Sequence, residues 1–170
     1  MSAIAKRTQI EHYMNLGEKA SPNWTRMGEG WTKVDDGTSA QTESVKYINQ
    51  DVSSTDTTSY NGTYSFECDL MYADPTIKKA YEIYKDRKTL GDCELEMLTV
   101  ERFNGTDEDG FVARKELIAV APSGITENNN KMRMSGNLNV KGDPVKGKFV
   151  PDSKGSGTFT PDTAAAAASE

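Results

Sequence analysis

Four carboxylates, spaced two residues apart in two pairs, have the arrangement best suited to chemistry: Glu67 with Asp69, and Glu94 with Glu96. Two neighbouring carboxyl groups can act as general acid and general base when an apolar pocket raises the pKa of one of them. Residues i and i+2 of a strand point to the same face, and apolar residues alternate with Glu67 and Asp69. The pattern therefore predicts a solvated acidic face of a sheet rather than a catalytic pair.

Other catalytic and metal-binding patterns are weak. His12 is the only histidine, and no positioned partner surrounds it in the sequence, so we expect an ordinary strand residue. The only two thiols, Cys68 and Cys93, form no zinc-binding motif, and we expect them to be reduced and buried. Residues 107–110 begin like a calcium loop but lack its terminal Glu, which favours a solvated hairpin tip. We predict no catalytic residue, no metal and no cofactor.

The composition limits the class of protein. The chain has 170 residues, enough for one domain with a sizeable core, and a formal net charge of −6. An acidic chain has no basic excess to neutralise phosphates, which argues against a general nucleic-acid binder. No apolar run approaches the roughly 20 residues of a membrane span. Residues 1–7 contain no apolar stretch typical of a signal peptide, so we expect synthesis and folding in a cytoplasm.

One segment has the pattern of an amphipathic helix, which we place at about 75–88. Asp74 suits the N-cap and Pro75 the first helical position. Lysine and arginine crowd the last turn, where cations suit the helix dipole. The residues spaced as one apolar face are Ile77, Ala80, Tyr81 and Tyr84.

Most of the remaining chain alternates apolar and polar residues with the period of two that a half-buried strand requires. The polar residues 104–110 are rich in turn formers, so the strands on either side should form a hairpin. The predicted fold is therefore mainly β with one helix. The predicted strands are 7–14, 24–27, 42–49, 64–72, 93–103, 111–121, 131–140 and 145–150.

Two segments look irregular. Residues 50–59 are rich in Ser, Thr and Asp and are too long for a tight turn, which favours a functional or mobile arm. Residues 161–170 contain an alanine run too short for a stable isolated helix, and we expect a disordered tail. The predicted organisation is one domain over 1–160, with an N-terminal arm and a long loop at 50–59, followed by this tail.

Several segments resemble, in their order along the chain, the major tail protein of long-tailed bacteriophages, which is the subunit of the tail tube. The resemblance spans roughly residues 7–160 and rests on the order of the segments along the chain. The segments that carry it are 42–49, the polar loop, 64–72, 74–75, 80–88 and a closing hairpin at 134–149.

The resemblance implies two antiparallel sheets packed as a sandwich or half-barrel, flanked by the helix. It implies hexameric rings that stack into a tube in the virion, through which phage DNA passes without specific binding. Its implied partners are the tape measure protein, the tail-tip or baseplate proteins and the tail terminator protein.

The resemblance also implies roles for particular residues. The long loop would bridge rings, and the acidic strand face would line the lumen, where like charge keeps DNA from adhering to the wall. The lumen-facing candidates are Glu67, Asp69, Glu94 and Glu96. The inter-ring candidates are Gln50, Asp51, Ser54 and Asp56.

A second class of function stays open. A monomeric β-sandwich binding module, carbohydrate-binding or adhesin-like, would expose an aromatic patch, for which Trp24 and Trp31 are the candidates. Burial of large aromatics in a core or interface is their more common use. A contractile-tail tube or the tube of a phage-derived bacteriocin would use the same fold, and an enzyme is the least favoured class.

Overall fold

Ten antiparallel strands and one α-helix are found in residues 4–162, the part of the chain that the computed structural model describes. The helix α1 is Pro75–Lys85, and short 3-10 turns occupy Arg7–Gln9 and Leu90–Cys93. The strands are β1 Ile10–Asn15, β2 Trp24–Met27, β3 Trp31–Asp36, β4 Ser39–Val45, β5 Ser54–Asn61, β6 Thr63–Asp69, β7 Glu94–Thr106, β8 Gly110–Asn128, β9 Lys131–Pro151 and β10 Gly157–Pro161.

Eight strands form one sheet in the order β2-β1-β7-β8-β9-β6-β3, with β10 added to β9. The two edge strands, β2 and β3, are consecutive in the chain and are joined only by residues 28–30. Since each residue spans at most about 3.6 Å, this short connection requires the sheet to curl into a half-barrel. Gly30 suits the connection, because its φ is 89° and a Cβ there would lie 2.7 Å from Ile77 Cδ1.

Helix α1 begins at the predicted position and packs on the concave face of the half-barrel. Asp74 Oδ1 accepts hydrogen bonds from the backbone amides of Thr76 at 2.8 Å and Ile77 at 3.3 Å. These bonds satisfy two of the amides that a helix start leaves free. The buried face differs from the predicted one, because Tyr84 is exposed whereas Ile83 is buried. The buried residues of the helix are Thr76, Ile77, Ala80 and Ile83.

The helix ends at Lys85, three residues before the predicted end. Arg87 adopts a left-handed backbone conformation with φ 51°, which turns the chain away from the helix axis. The amide of Lys88 bonds the carbonyl of Ile83 at 3.1 Å, and the amide of Arg87 bonds that of Tyr84 at 3.2 Å. These two bonds are the Schellman arrangement, which satisfies the last carbonyls of a helix.

Apolar side chains are buried on both faces of the large sheet. Adjacent residues therefore belong to different clusters, as Tyr13 and Met14 do on β1 and Met97 and Leu98 do on β7. The concave-face cluster comprises Met14, Met27, Tyr64, Phe66, Cys68, Ile77, Ala80, Ile83, Met97, Ile118, Val120, Met134 and Leu138. The opposite-face cluster comprises Tyr13, Trp24, Leu98, Val100, Phe111, Ala113 and Phe149, with Phe159 of β10 packed against it.

Strands β8 and β9 are longer than predicted, at 19 and 21 residues. Ser123 and Gly124, which the sequence indicates as a turn, lie instead at a register shift within β8, and residues 142–144 fall between registered pairs of β9. Such bulges bend a strand without ending it, so both strands can follow the curled sheet. The short strands β3 and β10 have little apolar alternation and are absent from the prediction.

Strands β4 and β5 form a second sheet of two strands, so a mainly β fold with two antiparallel sheets and one helix is confirmed. The predicted loop at 50–59 is wrong in part. The loop between the two strands is 46–53, and residues 54–59 belong to β5. Cross-strand hydroxyls explain the longer ladder, as between Ser44 and Thr55 at 2.8 Å. All of β5, and all of β4 except Val45, is exposed. Residues 1–3 and most of the predicted tail, 163–170, lie outside the described residues.

Candidate functional site

The four carboxylates identified in the sequence share the face of the large sheet that also carries the opposite-face cluster, and the part of it that they occupy is here called the polar face: Glu67, Asp69, Glu94 and Glu96. Directly paired residues of neighbouring strands lie on one face, and Thr63, Asn139, Ala119 and Glu94 form such a row across β6, β9, β8 and β7. On β6, Thr63 is separated from Glu67 and Asp69 by an even number of positions, so all three lie on the same face. The residues between them, such as Phe66, pack in the concave-face cluster with α1. The polar face is therefore on the side of the sheet opposite α1.

The polar face carries paired rather than free carboxylates. The ion pairs are Asp69 with Arg133 at 3.0 Å, Glu96 with Lys115 at 3.3 Å, and Glu94 with Lys141. These three carboxylate side chains are only 15–21 % exposed. The expectation of a wet acidic surface is corrected, because the ladder places a cation beside each of these groups. Glu67 lies opposite Lys33 of β3 in the register.

A polar network lies on the concave face, where Asp36, Tyr64 and Arg114 line a cavity of about 1410 Å³. The hydroxyl of Tyr64 donates to Glu116 Oε2 at 2.6 Å and accepts from Arg114 Nη2 at 2.7 Å. Arg114 Nη2 also lies 3.3 Å from Asp36 Oδ2. Arg114 Nε is 3.1 Å from Glu116 Oε1, an ion-pair distance without hydrogen-bond geometry. The network thus joins β3, β6 and β8, with Tyr64 and Glu116 buried and Asp36 exposed at its outer end.

A second network surrounds Glu11 of β1, which is buried. Its carboxylate accepts from the Tyr13 hydroxyl at 2.8 Å and from Arg102 Nε at 3.0 Å, and it lies 3.0 Å from Arg26. Arg102 also stacks over the Phe111 ring at 4.6 Å. Paired and hydrogen-bonded in this way, a buried carboxylate can remain charged. The arrangement ties β1 to its neighbours β2 and β7.

The protonation states of the buried groups do not favour nucleophilic or acid–base chemistry. Burial, with the hydrogen bond to Glu116 second, raises the pKa of Tyr64 to about 12. Burial likewise raises the pKa of the Cys68 thiol to about 12 and lowers that of His12 to about 4. At neutral pH these groups are an uncharged phenol, thiol and imidazole. His12 lies on β1, as predicted, with Nδ1 3.2 Å from Thr99 Oγ1.

The cysteines and the acidic residues also form no reactive or metal-binding group in the part of the chain that the structure describes. Both cysteines are free; Cys68 is buried, whereas Cys93 is only half-buried, which corrects the expectation for that residue. Within residues 4–162, no group of three His, Cys, Asp or Glu side chains is arranged to hold a metal ion. The same residues contain no helix with the length and apolarity of a bilayer span.

The two tryptophans do not form an exposed aromatic patch. Trp24 is 2 % exposed and belongs to the opposite-face cluster. Trp31 is half-buried, packs edge-on against Phe66 at 5.5 Å and donates from Nε1 to Thr76 Oγ1 at 2.9 Å. Both indoles therefore stabilise the fold, and neither supplies the exposed patch that we predicted for a binding module.

The hairpin of β4 and β5 carries the predicted inter-ring residues: Gln50, Asp51, Ser54 and Asp56, all exposed. Sequence reasoning missed two features of this hairpin. Its tip exposes Tyr47, Ile48 and Val52, which are apolar residues in a polar segment and could have signalled a contact surface. Glu43 lies directly opposite Asp56, a like-charge pair that destabilises an isolated hairpin.

Solved structures share this architecture, although no protein-family model and no curated protein sequence matches the chain. A chain in a cryo-EM structure of the anti-feeding prophage (AFP) baseplate, 6-fold symmetrised, is 10 % identical with a TM-score of 0.55. That alignment covers 86 % of this chain and 97 % of the other. A chain in the tail of an empty GTA particle, refined with C6 symmetry, is 14 % identical with a TM-score of 0.55, over 83 % and 97 %. The protein therefore has the fold of these two chains from tail and baseplate assemblies.

Proposed function

We propose that this protein is a structural subunit of a phage-type tail, which self-assembles into stacked hexameric rings that form the tail tube. The tube would be the conduit for DNA ejection, and the protein would be part of the virion. The observation that carries this proposal is the β4–β5 hairpin, which is exposed along nearly its whole length. The shared fold supports it, because both similar chains come from assemblies with sixfold symmetry.

The exposed hairpin favours an assembling protein over a monomer. A two-stranded hairpin alone is marginally stable in water, and three strands or packing against another element is normally needed. Here the tip exposes Ile48 and Val52, which are 109 % and 78 % exposed. A contact with a second copy would bury these side chains and supply the missing support. We assign the hairpin, including Gln50, Asp51, Ser54 and Asp56, to the contact between rings.

The open edges of the large sheet suit contacts within a ring. Strands β2 and β3 end the sheet and present unpaired backbone groups, which soluble monomers usually protect. Two different edges on one subunit fit a heterologous, head-to-tail contact, which generates a closed ring when the rotation closes. Stacking by a separate element, the hairpin, would then convert rings into a tube.

We assign the polar face to the lumen, with Glu67, Asp69, Glu94 and Glu96 directed to it. Its ion pairs change the expected mechanism of DNA passage. A wall of alternating paired charges offers DNA neither a continuous cationic track nor strong repulsion, so sliding rather than binding is favoured. In this function the chain would meet the tape measure, tail-tip or baseplate and terminator proteins, in a long non-contractile tail.

Electron microscopy and sedimentation velocity of the purified protein, over a wide concentration range, test this function. Sixfold rings or hollow tubes are the expected result. A monodisperse monomer at the highest concentration, with or without a tail-tip complex as nucleus, would exclude it. A tube that is found inside a contractile sheath in the native particle would correct the tail type but not the function.

A further inference from the structure

A groove lies beside the C-terminal end of α1, with a volume of about 630 Å³. We call it the helix-end groove. Its apolar lining includes Ile83, Leu90, Val120 and Pro122. Its rim carries three cations from the end of the helix: Lys85, Arg87 and Lys88.

Leu90, which lines this groove, combines an unusual backbone conformation with an exposed side chain. It is 84 % exposed, and its backbone has φ 54°, in the left-handed region. That conformation costs an ordinary residue about 1–2 kcal/mol. In the isolated subunit no burial of the Leu90 side chain offsets this strain. Strained residues of this kind cluster at ligand clamps and contact sites.

The tip of the β4–β5 hairpin is complementary to the helix-end groove. The tip supplies exposed apolar side chains, Ile48 and Val52, for an apolar lining. Just below the tip, Glu43 and Asp56 face each other and lack a cation to separate them in the ladder. The basic rim of the groove would provide that cation, since opposite charges across an interface fix its register.

We propose that the hairpin tip of one subunit docks into the helix-end groove of a second copy of this chain. This inference rests on the proposed self-assembly and names the surface that the hairpin contacts. In the described conformation the tip is exposed, so each subunit offers an open tip and an open groove. Such a tip-to-groove contact is heterologous and can propagate from copy to copy without closing.

Cys93 provides a direct test, because it lines the groove and is free. Ile48→Cys and Val52→Cys variants would be oxidised with copper phenanthroline under assembling conditions and analysed on non-reducing gels. A disulfide requires Cα atoms within about 7 Å, so it reports close approach of tip and groove. We expect a ladder of covalent multimers from at least one variant, which disappears when Cys93→Ser is added.

The matched control is Thr58→Cys, which places a thiol on the exposed part of β5 away from the tip and should give no ladder. A second arm uses Leu90→Asp, which should raise the threshold concentration for assembly about tenfold or more, as loss of a central interface residue does. Met132→Asp alters an exposed apolar residue elsewhere and should leave the threshold unchanged.

The outcomes separate this inference from the proposed function. Tubes or rings with no Cys93-dependent disulfide from either tip variant, or with a normal threshold for Leu90→Asp, would overturn the docking surface and leave the tube function standing. A wild-type protein that never assembles would overturn both. A covalent dimer that forms in the Cys93→Ser background would show tip-to-tip contact, which also contradicts docking into the groove.

Discussion

The hydroxyl of Tyr64 on β6 donates a 2.6 Å hydrogen bond to Glu116 on β8, although β9 lies between these strands in the sheet. Two side chains can meet across an intervening strand only where the sheet is strongly curved. Both residues are buried, at 0 % and 6 % exposure, so the bond forms away from water. This contact therefore stabilises the curl of the half-barrel.

Replacing Tyr64 with Phe should destabilise the fold by about 1–3 kcal/mol, because Glu116 loses a donor in a buried site. The matched control is Tyr13→Phe. The hydroxyl of Tyr13 bonds Glu11, which retains Arg26 and Arg102, so this loss should be about 1 kcal/mol or less. Urea unfolding followed by circular dichroism measures both. Equal losses would contradict a special role for the Tyr64 contact.

Lowering the pH should destabilise the fold, because burial favours the neutral form of His12. Burial lowers its pKa to about 4 from the ordinary 6.5, so between these values the unfolded chain binds a proton that the folded chain does not. Stability is therefore complete above about pH 6.5 and is lost toward pH 4, by about 3 kcal/mol at most. His12→Gln should flatten this part of the profile. Parallel wild-type and variant pH profiles would contradict it.

The two acidic residues of β6 should differ in their effect on stability. Asp69 accepts from Arg133 Nε at 3.1 Å and Nη2 at 3.0 Å, so Asp69→Asn should cost about 1–2 kcal/mol. Glu67→Gln should cost no more than about 0.5 kcal/mol, because its cross-strand neighbour Lys33 is partly exposed. Urea is the suitable denaturant, since guanidinium salt screens charges. A larger effect at Glu67 would contradict this assignment.

Removal of the β4–β5 hairpin should separate folding from assembly. Gly37 donates to the carbonyl of Thr63 at 2.8 Å, so a short Gly-Ser turn can replace residues 39–61. Since the hairpin is exposed, unfolding free energy should change by about 0.5 kcal/mol or less. Sedimentation and electron microscopy should show no stacked tubes. A variant that still forms long tubes would exclude an inter-ring role for the hairpin.

Arg87→Gly should stabilise the subunit and weaken its assembly. Glycine relieves the left-handed strain at φ 51°, which should raise the unfolding free energy by about 1 kcal/mol. Arg87→Ala is the control, because it removes the same cation from the groove rim and keeps the strain. Both variants should assemble less readily than the wild type, and only Arg87→Gly should melt at a higher temperature. Scanning calorimetry and light scattering measure the two effects.

The features predicted from the sequence depend on neighbouring residues. Asp74 and Pro75 specify the helix start within one turn, and the alternation of Tyr64, Phe66 and Cys68 specifies a strand with one buried face. The end of the helix is harder to predict, because the left-handed conformation that terminates it usually belongs to glycine and is adopted here by Arg87. The pairing of Asp69 with Arg133 joins residues 64 positions apart, so no local pattern reveals it.

The sequence by itself determined the class of fold, because strand alternation and helix capping are local, and it determined which face of β6 would carry the carboxylates. Only the tertiary structure decided the surroundings of those carboxylates. Ladder register placed Arg133, Lys115 and Lys141 beside them, and register depends on bulges and on distant strands. Curling likewise brought Tyr64 to Glu116, since buried polar groups require partners and the curled sheet places these two together.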